Sequence, residues 1–354
     1  MKKEGNRDKM QTSVILCFSF FSTVISFTSS GSAFGTMIAS SLSGYLSKHG
    51  FAGGWPSVFY VSGILCITIG IIYLFLVAND PKDHPFVPQR EYKYIVDHVP
   101  ALRAERDRQL GLTKSDKCEQ KRSVPWLGIL TSGAVIAEIC VKIASMWSYS
   151  LVILKAPAYM EKVLSMPLDQ NGYFTSAIFL SYGLSHFVGG MAADTIINRK
   201  VFRSKTPVRK IFQGMCTFGT AFFLALIPFA GCNQMLFLVI LIASQATFGM
   251  VAGGELPLPS DMSNEYAATL FSISNTFGMS TGVVGPYLTG LVLDAAPSMP
   301  ARQWSYIIYF TAAFNCLGGL IFSLTASAES QTFGQSAIND CGDKSLSTTT
   351  KITI

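Results

Sequence analysis

The chain has 354 residues, of which 49% are hydrophobic and only 14% charged, with a net charge of +6. A soluble protein carries about 25% charged residues, so the deficit excludes a water-soluble domain and leaves most of the surface to lipid. The basic residues gather in a few loops, which is a membrane-topology signature, and no basic face suited to nucleic acid is visible.

A spanning helix needs about 20 mostly apolar residues. In chain order the segments that qualify are Thr23–Leu46, Ser57–Val77, Pro125–Leu154, Gly172–Ala193, Ile211–Ala230, Met235–Leu256, Ala268–Leu293 and Tyr306–Leu324. The expected fold is therefore an all-α polytopic membrane protein of about eight transmembrane helices. The first segment is ambiguous, because uncharged sequence runs from Gln11 to Ser47. That is too long for one ordinary span and too short for two, and the Ser/Thr/Gly cluster Thr28–Ser32 is a candidate break. A cleaved signal peptide is a third reading, since Lys2, Lys3, Arg7 and Lys9 precede an apolar run, although no clear cleavage site follows.

Lys and Arg set the orientation. Besides the N-terminal cluster, Asn79–Ser123 is densely charged, and Arg199–Lys210 holds Arg199, Lys200, Arg203, Lys205, Arg209 and Lys210. Eight helices put all three basic segments on one side, which the positive-inside rule makes cytoplasmic, together with both termini. The expected divisions are 1–79 with two helices, a cytoplasmic loop over 80–124, six helices over 125–328 and a polar tail over 329–354 that reads as disordered. Within the loop, Tyr92, Tyr94, Ile95 and Val96 fit either a short surface helix or a plain solvated linker.

Eight cysteines are present, mostly in apolar runs, and no CxxC pair occurs, so neither a zinc site nor a disulfide framework is suggested. There is no GxSxG, P-loop or HExxH motif. An enzyme, a metal site and a bound cofactor are not expected.

Spacing picks out the candidate site. Glu138, Lys142, Ser145 and Tyr149 are four, three and four residues apart, which puts them on one helix face. Glu138 lies roughly 18 Å along the axis from Trp126 at about 1.5 Å per residue, near the bilayer midplane. A charge at that depth costs at least about 2.5–3.5 kcal/mol and needs a cavity or a partner. The stripe fits an anion anchor (Lys142) with its counter-charge or proton carrier (Glu138), and it fits a purely structural Glu138–Lys142 pair equally well. On the next helix Thr175, Tyr182 and His186 share a face, where His186 titrates or binds a ligand, or simply makes a structural hydrogen bond. Asn275 suits a cavity hydrogen bond or one between helices. Asp194 and Arg199 flank the end of a helix, where Asp194 can pair with Arg199 or cap a neighbouring helix. Glu255 and Asp261 receive no role.

Six short motifs then occur in order: GWPSVFY (Gly54–Tyr60), DHPFVPQREYKYI (Asp83–Ile95), PAYMEKVL (Pro157–Leu164), VRKIF (Val208–Phe212), ISNTFG (Ile273–Gly278) and VGPYLTG (Val284–Gly290). Together they resemble the anion:cation symporter branch of the major facilitator superfamily, which includes sialin, vesicular glutamate transporters and sodium/phosphate cotransporters. The resemblance implies two six-helix halves around a cavity, joined by the cytoplasmic loop. The six later helices match the second half, and the two earlier ones match helices five and six of the first half. The first four helices have no counterpart here, which leaves a truncated, non-transporting membrane protein as the alternative. For a complete relative the resemblance implies sodium- or proton-coupled transport of small organic or inorganic anions by alternating access, in a plasma, vesicular or lysosomal membrane. The implied partners are a small anion and the lipid bilayer, with Na+ or H+ as coupling ion. Gly190 to Asp194 with Arg199 resembles the superfamily's cytoplasmic gating motif. Vesicular glutamate transporters resemble this chain with an arginine at the position of Ser145; Ser145 supplies no charge, and Lys142, one turn away, is the substitute.

Overall fold

The computed structural model describes residues 21–51, 53–78, 124–263, 265–294 and 300–329, with the isolated positions 87–89, 92, 93, 96, 331 and 333. Most of the 80–124 segment, the basic N-terminus and the tail fall outside the described residues, and so do the surface-helix and disorder readings made for them. Among the described residues every regular element is helical.

The helices are α1 Phe21–His49, α2 Trp55–Leu76, α3 Trp126–Leu130, α4 Gly133–Lys162, α5 Leu168–Asn198, α6 Thr206–Gly214, α7 Thr220–Leu226, α8 Gln234–Phe248, α9 Leu258–Met262, α10 Ala267–Asp294 and α11 Pro300–Thr325. A π-helical turn, Met215–Gly219, joins α6 to α7, and a 3-10 turn, Ile227–Ala230, follows, so that Thr206–Ala230 forms one 25-residue stretch. A second 3-10 turn, Gly249–Gly253, carries α8 towards α9. Each of the eight expected segments lies on one of these long stretches. The third differs most: it breaks at Thr131 and Ser132, restarts at Gly133 and runs on to Lys162.

Among the described residues five stretches are long and apolar enough to cross a membrane: Trp55–Leu76, Gly133–Lys162, Thr206–Ala230, Gln234–Met262 and Ala301–Thr325. Helices α1, α5 and α10 have 29, 31 and 28 residues and are diluted by Ser, Thr and Gly. At 1.5 Å per residue they are still longer than the roughly 30 Å hydrocarbon core. Part of this small polar set turns inward: Ser22, Ser26 and Ser30 of α1 and Ser274 and Thr281 of α10 are buried.

The possible break at Thr28–Ser32 does not occur, since α1 is continuous through it. The hydroxyls there bond back to the helix's own carbonyls, Thr28 Oγ to Val24 O at 2.9 Å and Ser30 Oγ to Phe27 O at 2.8 Å. A Ser/Thr cluster that satisfies itself in this way can sit inside a helix.

The chain divides into two compact units, residues 50–124 and the rest. This departs from the expected 1–79 grouping, because α1 belongs with the later helices. The reason is a tight α1–α5 contact through small residues. A Cβ on Gly190 would collide with Ser26, and one on Gly172 would lie 2.8 Å from Ser40 O. Ser176 Oγ also donates to Met37 O at 2.7 Å. In the smaller unit α2 is apolar on every side, the pattern of a helix sheathed in lipid or other helices.

In the larger unit six long stretches follow residue 125, and their core has two ends. At one, Tyr159 stacks on Phe237 at 5.0 Å and meets Trp304 edge-on at 5.5 Å, above Val152, Ile178, Leu224 and Leu241. At the other, Ala193, Val208 and Phe212 pack together. The start of α6 and the ends of α5 and α8 meet on this second face, and Cys232 lies in the exposed turn at the opposite end of Thr206–Ala230. By the positive-inside rule the charge bias predicts that the α5–α6 face is the cytoplasmic one. In a background free of other cysteines, Cys232 should therefore react with a membrane-impermeant maleimide from the non-cytoplasmic side, and a Lys200→Cys substitution only from the cytoplasmic side. Labelling of both from one side would overturn this orientation.

Candidate polar site inside the helical bundle

Helix α4 carries Glu138, Lys142, Ser145 and Tyr149 as its spacing requires, and the first three are buried. Lys142 Nζ lies 3.1 Å from Glu255 Oε1, and the two side chains are 3% and 0% exposed. Glu255 Oε2 accepts from Ser145 Oγ at 3.3 Å and from Gln213 Nε2 at 3.2 Å. Gln213 turns its other end to the same residue, accepting the Glu255 backbone N–H at 3.0 Å. One carboxylate is thus held by an ammonium, a hydroxyl and a carboxamide from two helices, α4 and α6.

Two close approaches build this cluster. Gly278 of α10 sits against Lys142, where a Cβ would lie 2.9 Å from Lys142 Cγ, and the Phe271 ring of α10 lies 5.4 Å from Nζ. Gly254 sits against Gln213, where a Cβ would lie 2.5 Å from Oε1. Side chains at either glycine would displace a member of the cluster.

The ion pair therefore runs from Lys142 to Glu255, and not to Glu138. Both Glu138 carboxyl oxygens are buried without a hydrogen-bond partner among the described residues. The structural-pair reading of Glu138 and Lys142 is corrected on that ground. The i, i+4 spacing allows the two to approach, but Glu255 offers a better geometry because Ser145 and Gln213 hold it in place.

Tyr149 and His186 come together around a ring cluster. Tyr149 stacks on Phe248 at 5.8 Å, lies 5.9 Å from Tyr182 and 6.1 Å from Phe179, and Tyr182 meets His186 edge-on at 5.5 Å. His186 is 2% exposed, and its Nδ1 has no partner among the described residues. Asn275 lies half-buried on α10 and makes none of the hydrogen bonds of the Glu255 cluster.

At the α5–α6 face Asp194 binds α1. Its carboxylate accepts from Ser22 N at 3.3 Å, Thr23 N at 2.7 Å and Thr23 Oγ at 2.8 Å, in the first described turn of α1. These three bonds tie the end of α5 to α1. Arg199 is exposed at the end of α5, and among the described residues no ion pair joins it to Asp194. The base at this seal is Arg209, which is 2% exposed. It binds Asp261 Oδ2 at 2.8 Å, Ser22 Oγ at 3.1 Å and Gly253 O at 3.0 Å. Lys205 adds a second contact to Asp261 at 2.7 Å.

Four residues that hold these clusters together, Gln213, Glu255, Arg209 and Asp261, carried no expectation as site residues, Arg209 being read only as part of the basic segment that sets orientation. The signal available for Glu255 was its own: a lone acid in the apolar run Met250–Pro259, at a depth where a charge needs a partner.

These features define the class: a polytopic α-helical integral membrane protein with an ion pair sealed inside its bundle and a charged seal at one face. The chain belongs to the major facilitator superfamily, whose family profile matches residues 19–286. It is 29% identical to human sialin over 319 residues, covering 90% of this chain and 59% of that protein. It is 30% identical to a putative inorganic phosphate cotransporter of Drosophila melanogaster over 302 residues, covering 85% of this chain and 54% of that protein. It is 28% identical to vesicular glutamate transporter 3 of Danio rerio, covering 85% of this chain and 48% of that protein. These relatives are transport proteins of the branch that the six motifs resemble, and the chain spans about half to three-fifths of their length.

Proposed function

We propose that the protein transports small anions by alternating access, driven by a sodium or proton gradient. The observation that carries this reading is the Lys142 ammonium, 3% exposed inside a bundle of membrane-length helices and surrounded by further polar donors. Buried intramembrane charge is costly and marks ion or substrate pathways. Lys142 is the anion anchor, with Ser145 and Gln213 as neutral donors beside it. Glu138, one turn away with neither oxygen engaged among the described residues, is the group that takes up the coupling proton or faces the coupling sodium. The seal of Asp194, Arg209 and Asp261 closes the cytoplasmic side and has to open for release on that side. Superfamily membership and the names of the relatives, which include sialin, phosphate and glutamate transport proteins, support the choice of anions.

The test is uptake by the full chain in liposomes under a sodium or a proton gradient, with phosphate, sialic acid and glutamate as separate probes. One gradient should drive accumulation of at least one probe. Lys142→Met should weaken its apparent affinity about 10- to 100-fold, because a hydrogen bond to a charged group is worth about 1.5–3 kcal/mol. Glu138→Gln should leave anion exchange intact and abolish the gradient dependence. Uptake under neither gradient would leave a binding role without transport, and uptake indifferent to Lys142→Met would remove the anchor.

A further inference from the structure

Among the described residues every side-chain hydrogen bond of Glu255 goes to a group that an anion anchored at Lys142 would use. Its two oxygens take up Lys142 Nζ at 3.1 Å, Ser145 Oγ at 3.3 Å and Gln213 Nε2 at 3.2 Å. The residue is fully buried. The arrangement is a receptor for one carboxylate, and the chain fills it with its own.

The rest of the cluster argues that this occupant can leave. Glu255 is not on a regular helix: it follows Gly253 and Gly254 in the turn between Gly253 and Leu258. That turn is tied to the cytoplasmic seal, because Arg209 binds Gly253 O at 3.0 Å and Asp261 at 2.8 Å. The segment that would withdraw Glu255 is therefore the same one that the seal holds down. The donor set also has a charge preference. Within it Lys142 is the one cation, and the second carboxyl on the same face of α4 is Glu138. A singly charged planar carboxylate restores the balance that Glu255 provides, whereas a doubly charged phosphate brings one negative charge too many.

We propose that Glu255 is a tethered stand-in for the cargo: it occupies the Lys142–Ser145–Gln213 receptor in the sealed conformation, and a carboxylate-bearing substrate binds by displacing it. This rests on the reading of Lys142 as the anion anchor. The tether makes binding conditional on movement of the Gly253–Leu258 turn, and so couples cargo entry to the state of the cytoplasmic seal.

The experiment measures equilibrium binding of sialic acid, glutamate and inorganic phosphate to the purified full chain and its Glu255→Gln variant, with formate added as the smallest carboxylate in melting assays. If the stand-in fills the site nine-tenths of the time, its removal raises apparent carboxylate affinity about tenfold. Formate should raise the melting temperature of Glu255→Gln and not that of the wild type, while phosphate at equal ionic strength does neither. Should Glu255→Gln not fold, Glu255→Asp keeps the charge on a shorter arm, and the same rise in affinity is expected in smaller measure. Unchanged or weaker carboxylate binding in these variants overturns the stand-in, and so does a preference for phosphate in the emptied receptor. The underlying anchor is read separately from Lys142→Met, alone and combined with Glu255→Gln. Loss of binding in both keeps the anchor whatever Glu255 does. Binding that survives Lys142→Met removes the anchor and the stand-in with it.

Discussion

Lys142→Met should cost the folded protein about 3–5 kcal/mol, because it leaves the Glu255 carboxylate buried without a cation. Ser145 and Gln213 would still donate to Glu255, but neither carries charge. The double variant Lys142→Met, Glu255→Gln should recover most of that loss, since replacing both members of a buried pair is often near neutral. Glu138→Gln should differ sharply. Its oxygens accept no hydrogen bond among the described residues, so the amide forfeits no contact, and a change within about 1 kcal/mol is expected. Thermal melting of the three variants and the parent in one detergent settles the order. Equal damage from Glu138→Gln and Lys142→Met would mean that Glu138, and not Glu255, is the partner of Lys142.

The contrast between these two glutamates shows what the sequence made legible. Periodicity located the long helices because spanning length and apolar content are local properties, and it put Glu138, Lys142, Ser145 and Tyr149 on one face because four residues nearly complete a turn. Proximity along the chain then made Glu138 the natural partner for Lys142. The true partner is 113 residues away, in a turn whose position depends on how the 3-10 turn after α8 packs against α5 and α6. Such a contact leaves no periodic trace. Asp194 repeats the lesson. Its place at the end of α5 was legible, and capping was one of two readings, but its recipient is the first described turn of α1, 171 residues earlier. Likewise the basic residues of Arg199–Lys210 read as one topological charge cluster. Only the fold separates the exposed Arg199 from Arg209, which is buried against three helical segments.

That separation gives the second large effect, an opening of the cytoplasmic seal that the native thiol of Cys216 can report. Cys216 is 1% exposed, one turn beyond Gln213, with its thiol directed at Phe248 O at 3.4 Å. With the other cysteines replaced, it should resist an impermeant maleimide applied from the cytoplasmic side. Arg209→Met removes the link between α6, Ser22, Gly253 and Asp261. Hydrogen bonds of a charged group are worth about 1.5–3 kcal/mol, so the labelling rate should rise about 10- to 100-fold if the seal governs access. Asp194→Ala removes three hydrogen bonds to Ser22 and Thr23 of α1; a lost hydrogen bond costs about 0.5–1.5 kcal/mol, a rise of about 2- to 10-fold. Both residues act on Ser22, so the double variant should fall short of the product of the two single effects. Arg199→Met is the control, because Arg199 takes no part in the seal, and its labelling should match the parent. Equal acceleration by Arg199→Met and Arg209→Met would show that general loss of positive charge, and not the Arg209 contacts, opens the path to Cys216.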